Sequence, residues 1–430
     1  MNGGERESER MKVIESPEAY GTSTWSRQSS WRWVAKAGYF VVLILAASPA
    51  FAAIGQTAPS ENSRQSAIAL EQQGKTTEAE SAWRALLKTH PSSAEAYAHL
   101  GLLEARQEHY KEAVPLYRKA LALNPSVPGL RLNLGLALFK GGELKEALPE
   151  FQRLLKGAAN PDENQRLTIL VGMAHYGLGE YSAATPYLKT AATRDTQNLQ
   201  LRLALAHSCL WSKQYQCVMD TYHEMLTLNA ESAEVDMIAG EAQDGLKNYD
   251  GAIEQFRAAV KADPAEPDVH FGLGYLLWTQ KQYPEAAREF QAELANNPDH
   301  AQALAYLGDT DMQLNHPELS SPLLEKALGL NSELELAHLD LGILLADAGK
   351  NDEALRELKK AAQLVPGDVN VHWRLGHLYK AMGNADEAKT ELQKASSLHK
   401  AEEDALLEQM NRARAHADQK QAPEATAPQQ

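Results

Sequence analysis

One small residue returns along this chain at a fixed spacing: Gly101, Gly135, Gly172, Ala206, Gly240, Gly274, Gly308, Gly342 and Gly376. Every step is 34 residues except the 37 between Gly135 and Gly172. A recurrence of that length marks a supersecondary unit repeated in tandem, and one such unit cannot bury both its faces alone. The chain is therefore expected to stack copies rather than close on one globular core. Ala67 stands one step ahead of Gly101, so the register spans about residues 60–400 as ten copies.

Inside each copy, apolar residues fall at three- and four-residue intervals in two runs, as in a pair of amphipathic helices. Aromatic residues make up only 7% of the chain, and no long β-branched run suggests a strand. With the small residue numbered position 8, alanine recurs at position 20 and large residues at positions 7, 11 and 24. Small residues at 8 and 20 let two antiparallel helices approach closely, and the large ones fill the space that remains. Proline ends the second helix at position 32, as at Pro125 and Pro264. Four more prolines, Pro115, Pro149, Pro186 and Pro322, occupy position 22. A proline deep in a helix costs about 3 kcal/mol, whereas one in the first turn is cheap. The second helix is accordingly expected to begin near position 18 or 19, with Tyr110, Tyr181, Tyr215, Tyr249 and Tyr283 at the corner before it.

These copies resemble the tetratricopeptide repeat family. One reads Tyr97, Leu100-Gly101, Ala113, Tyr117, Ala120, Pro125; another reads Leu341-Gly342, Ala354, Leu358, Ala361, Pro366. The resemblance implies an all-α fold, an α-solenoid wound as a right-handed superhelix of about ten repeats. It also implies protein or peptide ligands, held in a groove lined by positions 2, 5, 9, 12 and 13 of the first helices. Carried onto this chain, the partner-binding residues are Leu132, Leu136, Phe139, Ile169, Met173, Tyr176, Leu203, His207, Leu210 and Trp211, with Phe271, Tyr275 and Trp278 further on. None of these positions belongs to the packing set of a single copy, so they are expected to be available to a partner. The family's carboxylate clamp, Lys at position 5 with Asn at position 9, is replaced here by Ala98/Leu102, Leu132/Leu136 and Ile169/Met173.

Several function classes are disfavoured. A net charge of -15 repels phosphate backbones, so no nucleic-acid partner is expected. No glycine-rich phosphate loop, zinc-binding helix or nucleophile elbow is found, and no enzymatic role, cofactor or metal is expected. His270, His338 and His372 all fall at position 4 and read as scaffold. Cys209 and Cys217 fall at positions 11 and 19, which lean toward the interior and toward solvent respectively. Two free thiols are expected, with Cys217 the more reactive.

The ends carry their own signals. Residues 1–36 are polar, with Arg27, Arg32 and Lys36 before an apolar run that begins at Ala37. Residues 37–53 end in Ala50-Phe51-Ala52, a small-x-small pattern, and read as a signal peptide or a membrane anchor. Membrane contact would come only through this segment, and the repeats would face the extracytoplasmic side. At the other end, residues 401–417 are expected to form a capping helix, with Leu406, Leu407 and Met410 on its packed face. Residues 418–430 are expected to be a disordered tail, Pro/Ala/Gln-rich from Gln421 onward. Together these features read as a non-catalytic scaffold of the cell envelope, or alternatively an accessory subunit of an envelope enzyme or assembly complex.

Overall fold

The computed structural model describes residues 61–421. The polar stretch 1–36, the export segment 37–53 and residues 422–430 of the expected tail lie outside the described residues. Among the described residues there are twenty helices and no strand, in tandem antiparallel pairs: an all-α solenoid. They fall into two units that divide between Asn248 and Tyr249, inside the sixth copy.

The first unit holds α1 (Glu61–Gln72), α2 (Thr76–Thr89), α3 (Ala94–Arg106), α4 (Tyr110–Leu123), α5 (Leu130–Lys140), α6 (Leu144–Lys156), α7 (Pro161–Gly177), α8 (Tyr181–Arg194), α9 (Leu199–Trp211), α10 (Tyr215–Thr227) and α11 (Ala233–Gly245). The second holds α12 (Tyr249–Ala262), α13 (Val269–Thr279), α14 (Tyr283–Asn296), α15 (Ala301–Gln313), α16 (Pro317–Leu330), α17 (Glu335–Asp347), α18 (Asn351–Leu364), α19 (Val369–Ala381) and α20 (Ala385–Gln421).

Position 8 meets position 24 in the hairpins that lie within either unit. In the first unit a Cβ on Gly135 would stand 2.6 Å from the Phe151 ring, and one on Gly101 would stand 2.8 Å from Tyr117. In the second unit Gly274 meets Phe290 in the same way, and Gly342 meets Leu358. The large partners Trp83, Tyr117, Phe151 and Phe290 are fully buried, so the core is a row of these contacts repeated along each unit.

Position 15 turns the chain from first helix to second and has positive φ throughout. Gly74, Gly142, Gly179, Gly349 and Gly383 supply it without strain, whereas Glu108, Lys213, Lys247, Lys281 and Asn315 adopt it with a side chain attached. The turn is so short that the second helix resumes at position 17, earlier than the sequence reading expects. Pro115, Pro149, Pro186 and Pro322 are therefore sixth in their helices and not in the first turn. All four are exposed, as are Lys111, Lys145, Ser182 and Glu318, whose carbonyls lose a donor and are left to water.

The 37-residue step lengthens a first helix. α7 has 17 residues, and its added turn opens with Asn160 accepting the Glu163 N–H at 2.9 Å and Pro161 at the first helical position. The C-terminus also differs from expectation. α20 runs 37 residues without a break, so the expected cap at 401–417 is a continuation of the last copy's second helix, which also takes in residues 418–421 of the tail expected to be disordered. No glycine or proline interrupts residues 385–421. Leu406, Leu407 and Met410 do not pack back onto the last copy; all three are exposed.

Candidate functional site

The first unit brings its ten candidate residues onto α5, α7 and α9. Leu132, Leu136, Phe139, Ile169, Leu203 and Trp211 are half-buried, with Phe139 touching the cores of two successive copies. Met173, Tyr176, His207 and Leu210 are buried, which corrects the expectation that they are available to a partner. The reason is that the next copy covers them. Tyr176 packs 5.9 Å from Trp211, and the Trp211 ring lies 4.5 Å from Tyr181 and stacks on His207 at 4.9 Å. Burial pushes the His207 imidazole down to about 3, so that ring is neutral and serves as an aromatic plate. Trp211 belongs to the packing after all, with only part of its surface free.

In the second unit Phe271 is buried, a further correction, while Tyr275 and Trp278 are half-buried. The organising residue is Tyr306, which the sequence reading did not select. Its ring lies edge-on to Tyr275 at 5.5 Å and to Trp278 at 5.1 Å, and 5.8 Å from Phe271. The Trp278 indole N–H donates to Asp309. Burial, with Tyr275, Asp309, Glu335 and Asp340 adding to it, holds the Tyr306 phenol far above its usual range. Burial also raises Asp311, and it lifts Glu335, beside Asp368, to about 8. The available signal was the run of acidic residues, Asp309, Asp311 and Asp340, inside helices whose neighbours in register are mostly apolar.

The position-4 histidines are clips within their hairpins. His270 Nδ1 lies 2.6 Å from Glu289, His338 Nδ1 2.7 Å from Glu357, and His372 Nδ1 2.6 Å from Glu391, each glutamate 19 residues on. Arg131 and Glu150 occupy the same pair of slots in the first unit. A cleft of about 490 Å³ opens beside that pair, but both its arginines are engaged, Arg131 by Glu150 and Arg118 by Glu146.

One cluster has the side chains of a metal site. Ligand atoms of Asp268, Glu293 and His300 lie within 4.8 Å of one another. Hydrogen bonding accounts for it. Asp268 has φ 66° and makes no side-chain cap to α13, so the Glu293 carboxylate reaches across to accept the Phe271 N–H at 3.2 Å. His300 Nδ1 accepts the Ala303 N–H at 3.1 Å, which leaves Nε2 to donate to Asp268 at 3.0 Å. Both ring nitrogens are thus in use, and the knot is a reciprocal helix cap.

The cysteines overturn the sequence reading. Cys209 and Cys217 form a disulfide with Cα atoms 5.8 Å apart, and neither thiol is free. Position 11 lies in the last turns of α9 and position 19 in the first turn of α10. The reversal at Lys213 folds one onto the other, so Cys217 is half-buried. Opposite leanings toward core and solvent did not exclude a bond between facing helices.

Two family profiles, both described as Tetratricopeptide repeat, match this chain. One covers residues 64–128, 100–164, 237–301, 271–310 and 307–369, and the other covers 345–410. Tetratricopeptide repeat protein 8 of Caenorhabditis elegans is 25% identical over 148 residues, 34% of this chain and 29% of that protein. BBSome complex member BBS4 of Bos taurus is 24% identical over 206 residues, 47% of this chain and 40% of that protein. The chain thus spans less than half the length of either curated relative. Among solved structures, pilF of Pseudomonas aeruginosa aligns at 20% identity with a TM-score of 0.41, covering 44% of this chain and 86% of that one.

Proposed function

The chain belongs to the tetratricopeptide repeat family, a protein–protein interaction scaffold, and from that premise we propose that it is exported to the cell envelope and holds apolar protein or peptide segments along its first helices. The observation that carries this reading is the half-buried row Leu132, Leu136, Phe139, Ile169, Leu203 and Trp211. Each of these side chains is fixed by its neighbours yet keeps part of its surface in water. Covering that remainder is favourable by about 25 cal/mol per Å², with little entropy left to lose. Export is supported by the basic residues Arg27, Arg32 and Lys36 ahead of the apolar run, and by Ala50-Phe51-Ala52. The Cys209–Cys217 disulfide suits an oxidising compartment.

Two measurements test the proposal. N-terminal sequencing of the protein from its host should begin at or near Ala53; full-length soluble protein in the cytosol would refute export. For binding, envelope extract is passed over the wild type and over a Leu132→Ser/Leu136→Ser/Ile169→Ser variant. A captured protein that the variant loses, with helicity intact, is the expected result. Equal capture by both would remove the row from the mechanism.

A further inference from the structure

Successive first helices of the second unit carry only one sign of formal charge. α13, α15 and α17 hold Asp309, Asp311, Glu335, Asp340 and Asp347 and no lysine or arginine. Their histidines, His270 and His338, are the ones clipped to Glu289 and Glu357. The balance reverses one copy later: α19 has Arg374 and Lys380 and no acid. Aromatic rings stand in the acidic stretch. Tyr275, Trp278 and Tyr306 are each half-buried. The Tyr275 and Trp278 rings are nearly parallel, 22° apart with centroids at 6.3 Å, and Tyr306 stands across them at 87° and 85°.

Carboxyl groups border this corner of rings. Asp309, which shares groove position 9 with Tyr275, is fixed beside it by the Trp278 indole N–H and by Gln313, whose Nε2 donates at 3.2 Å. Burial is the main cause that holds the Tyr306 phenol high, and Tyr275, Asp309, Glu335 and Asp340 add to it, so the acids are close enough to act on the ring. Glu335 Oε1 is buried and accepts no hydrogen bond. We propose that this corner receives an arginine side chain from a basic segment of a partner protein, its guanidinium against the Tyr275 and Trp278 rings and its N–H groups toward Asp309 and Glu335. Ring faces attract a cation, and a guanidinium can stack on a ring while its rim still donates. Its arrival favours the ionised form of Glu335. The inference rests on the reading of the chain as a holder of protein segments, but it uses the other unit and a different ligand chemistry.

The test is isothermal titration calorimetry of the full chain in about 0.1 M salt, where distant surface charges are screened. The probe is a synthetic peptide in which arginines alternate with glycine and serine; its control has citrulline, uncharged and of the same shape, at each arginine. The arginine peptide should bind with a Kd below about 100 µM and the citrulline peptide at least about tenfold more weakly. Asp309→Asn/Glu335→Gln should weaken the arginine peptide by about tenfold or more, and Tyr275→Leu by about threefold or more, with circular dichroism unchanged. Glu402→Gln/Glu403→Gln, which removes two carboxylates from an exposed stretch of α20, should stay within about twofold of the wild type. Leu132→Ser/Leu136→Ser/Ile169→Ser should also bind this peptide as the wild type does, which separates the outcome here from that of the first-unit row. No binding of the arginine peptide, equal binding of the citrulline peptide, or equal weakening by the two carboxylate pairs would each overturn the proposal. So would a Tyr275→Leu variant that binds like the wild type.

Discussion

Replacing Gly274 with alanine isolates the contact that closes its hairpin. The new Cβ would lie 2.8 Å from both Cδ1 and Cε1 of Phe290, and 3.3 Å from the Glu289 Cβ. Unstrained carbon pairs stand about 3.5–4.0 Å apart, so the hairpin must open by roughly 1 Å or the ring must turn. Phe290 has nowhere to go: it is fully buried, with Phe271 at 5.9 Å and Tyr306 at 5.8 Å. Overpacking of this kind costs about 1–3 kcal/mol, against about 1 kcal/mol gained by putting alanine in place of glycine within a helix. The balance is a loss of about 0–2 kcal/mol, and Gly274→Leu should exceed it.

Gly329 supplies the opposite case in the same unit. It is helical and exposed, and a Cβ there meets nothing within 4 Å. Gly329→Ala should gain up to about 1 kcal/mol, since only the propensity effect operates. The assay is urea unfolding followed by circular dichroism on the wild type and both variants. Midpoints are compared in order rather than converted to absolute stabilities, because a long repeat array need not unfold in one step. Gly329→Ala should lie above the wild type and Gly274→Ala at or below it. If Gly274→Ala proves as stable as Gly329→Ala, close approach at position 8 is not what selects glycine.

The remaining predictions concern one strained turn, one buried acid and the disulfide. Lys281 holds φ 58° at position 15, so Lys281→Gly should raise stability by about 1 kcal/mol, read as a higher urea midpoint. Glu335, lifted from 4.5 to about 8, binds its proton more tightly folded than unfolded. Its contribution is complete below the lower value and is lost as pH rises through the upper one. Glu335→Gln should therefore melt like the wild type near about pH 4 and higher than it near about pH 9, by a few kcal/mol at most. An equal difference at both pH values would count against the assignment. Alkylation of the native protein should label neither cysteine until a reductant is added, after which Cys217 should react first, since Cys209 is fully buried.

The repeat was legible in the sequence because its spacing is a packing requirement: a copy with a large residue at position 8 would not let position 24 in. What the spacing did not encode is how the chain gets from one helix to the next. Helix starts at position 17 follow from a positive φ at position 15, and half the copies adopt it with Lys, Glu or Asn, residues that do not announce such a turn. The disulfide was missed for a related reason. Burial tendencies were read for each cysteine against solvent, whereas the tight turn at Lys213 sets the two against each other.

The candidate row was legible as positions but not as surface. Family positions specify which side of a first helix a residue occupies; how much of that side stays open depends on the residue one copy further on. Where that neighbour is large, as Trp211 is beside Tyr176 or Tyr306 beside Phe271, the position closes and becomes core. Where the neighbours fit less fully, as around Leu132, Leu136 and Ile169, it stays half open. The consequence reaches function. Trp211 is held by His207 on one face and Tyr181 nearby, so its free part is presented rigidly, with little conformational entropy left to lose on binding. The same contacts mean that removing the ring unties two neighbouring copies. Binding and stability are therefore coupled at this residue, and the partner-specific effect must be read at Leu132, Leu136 and Ile169, where the structure loses less.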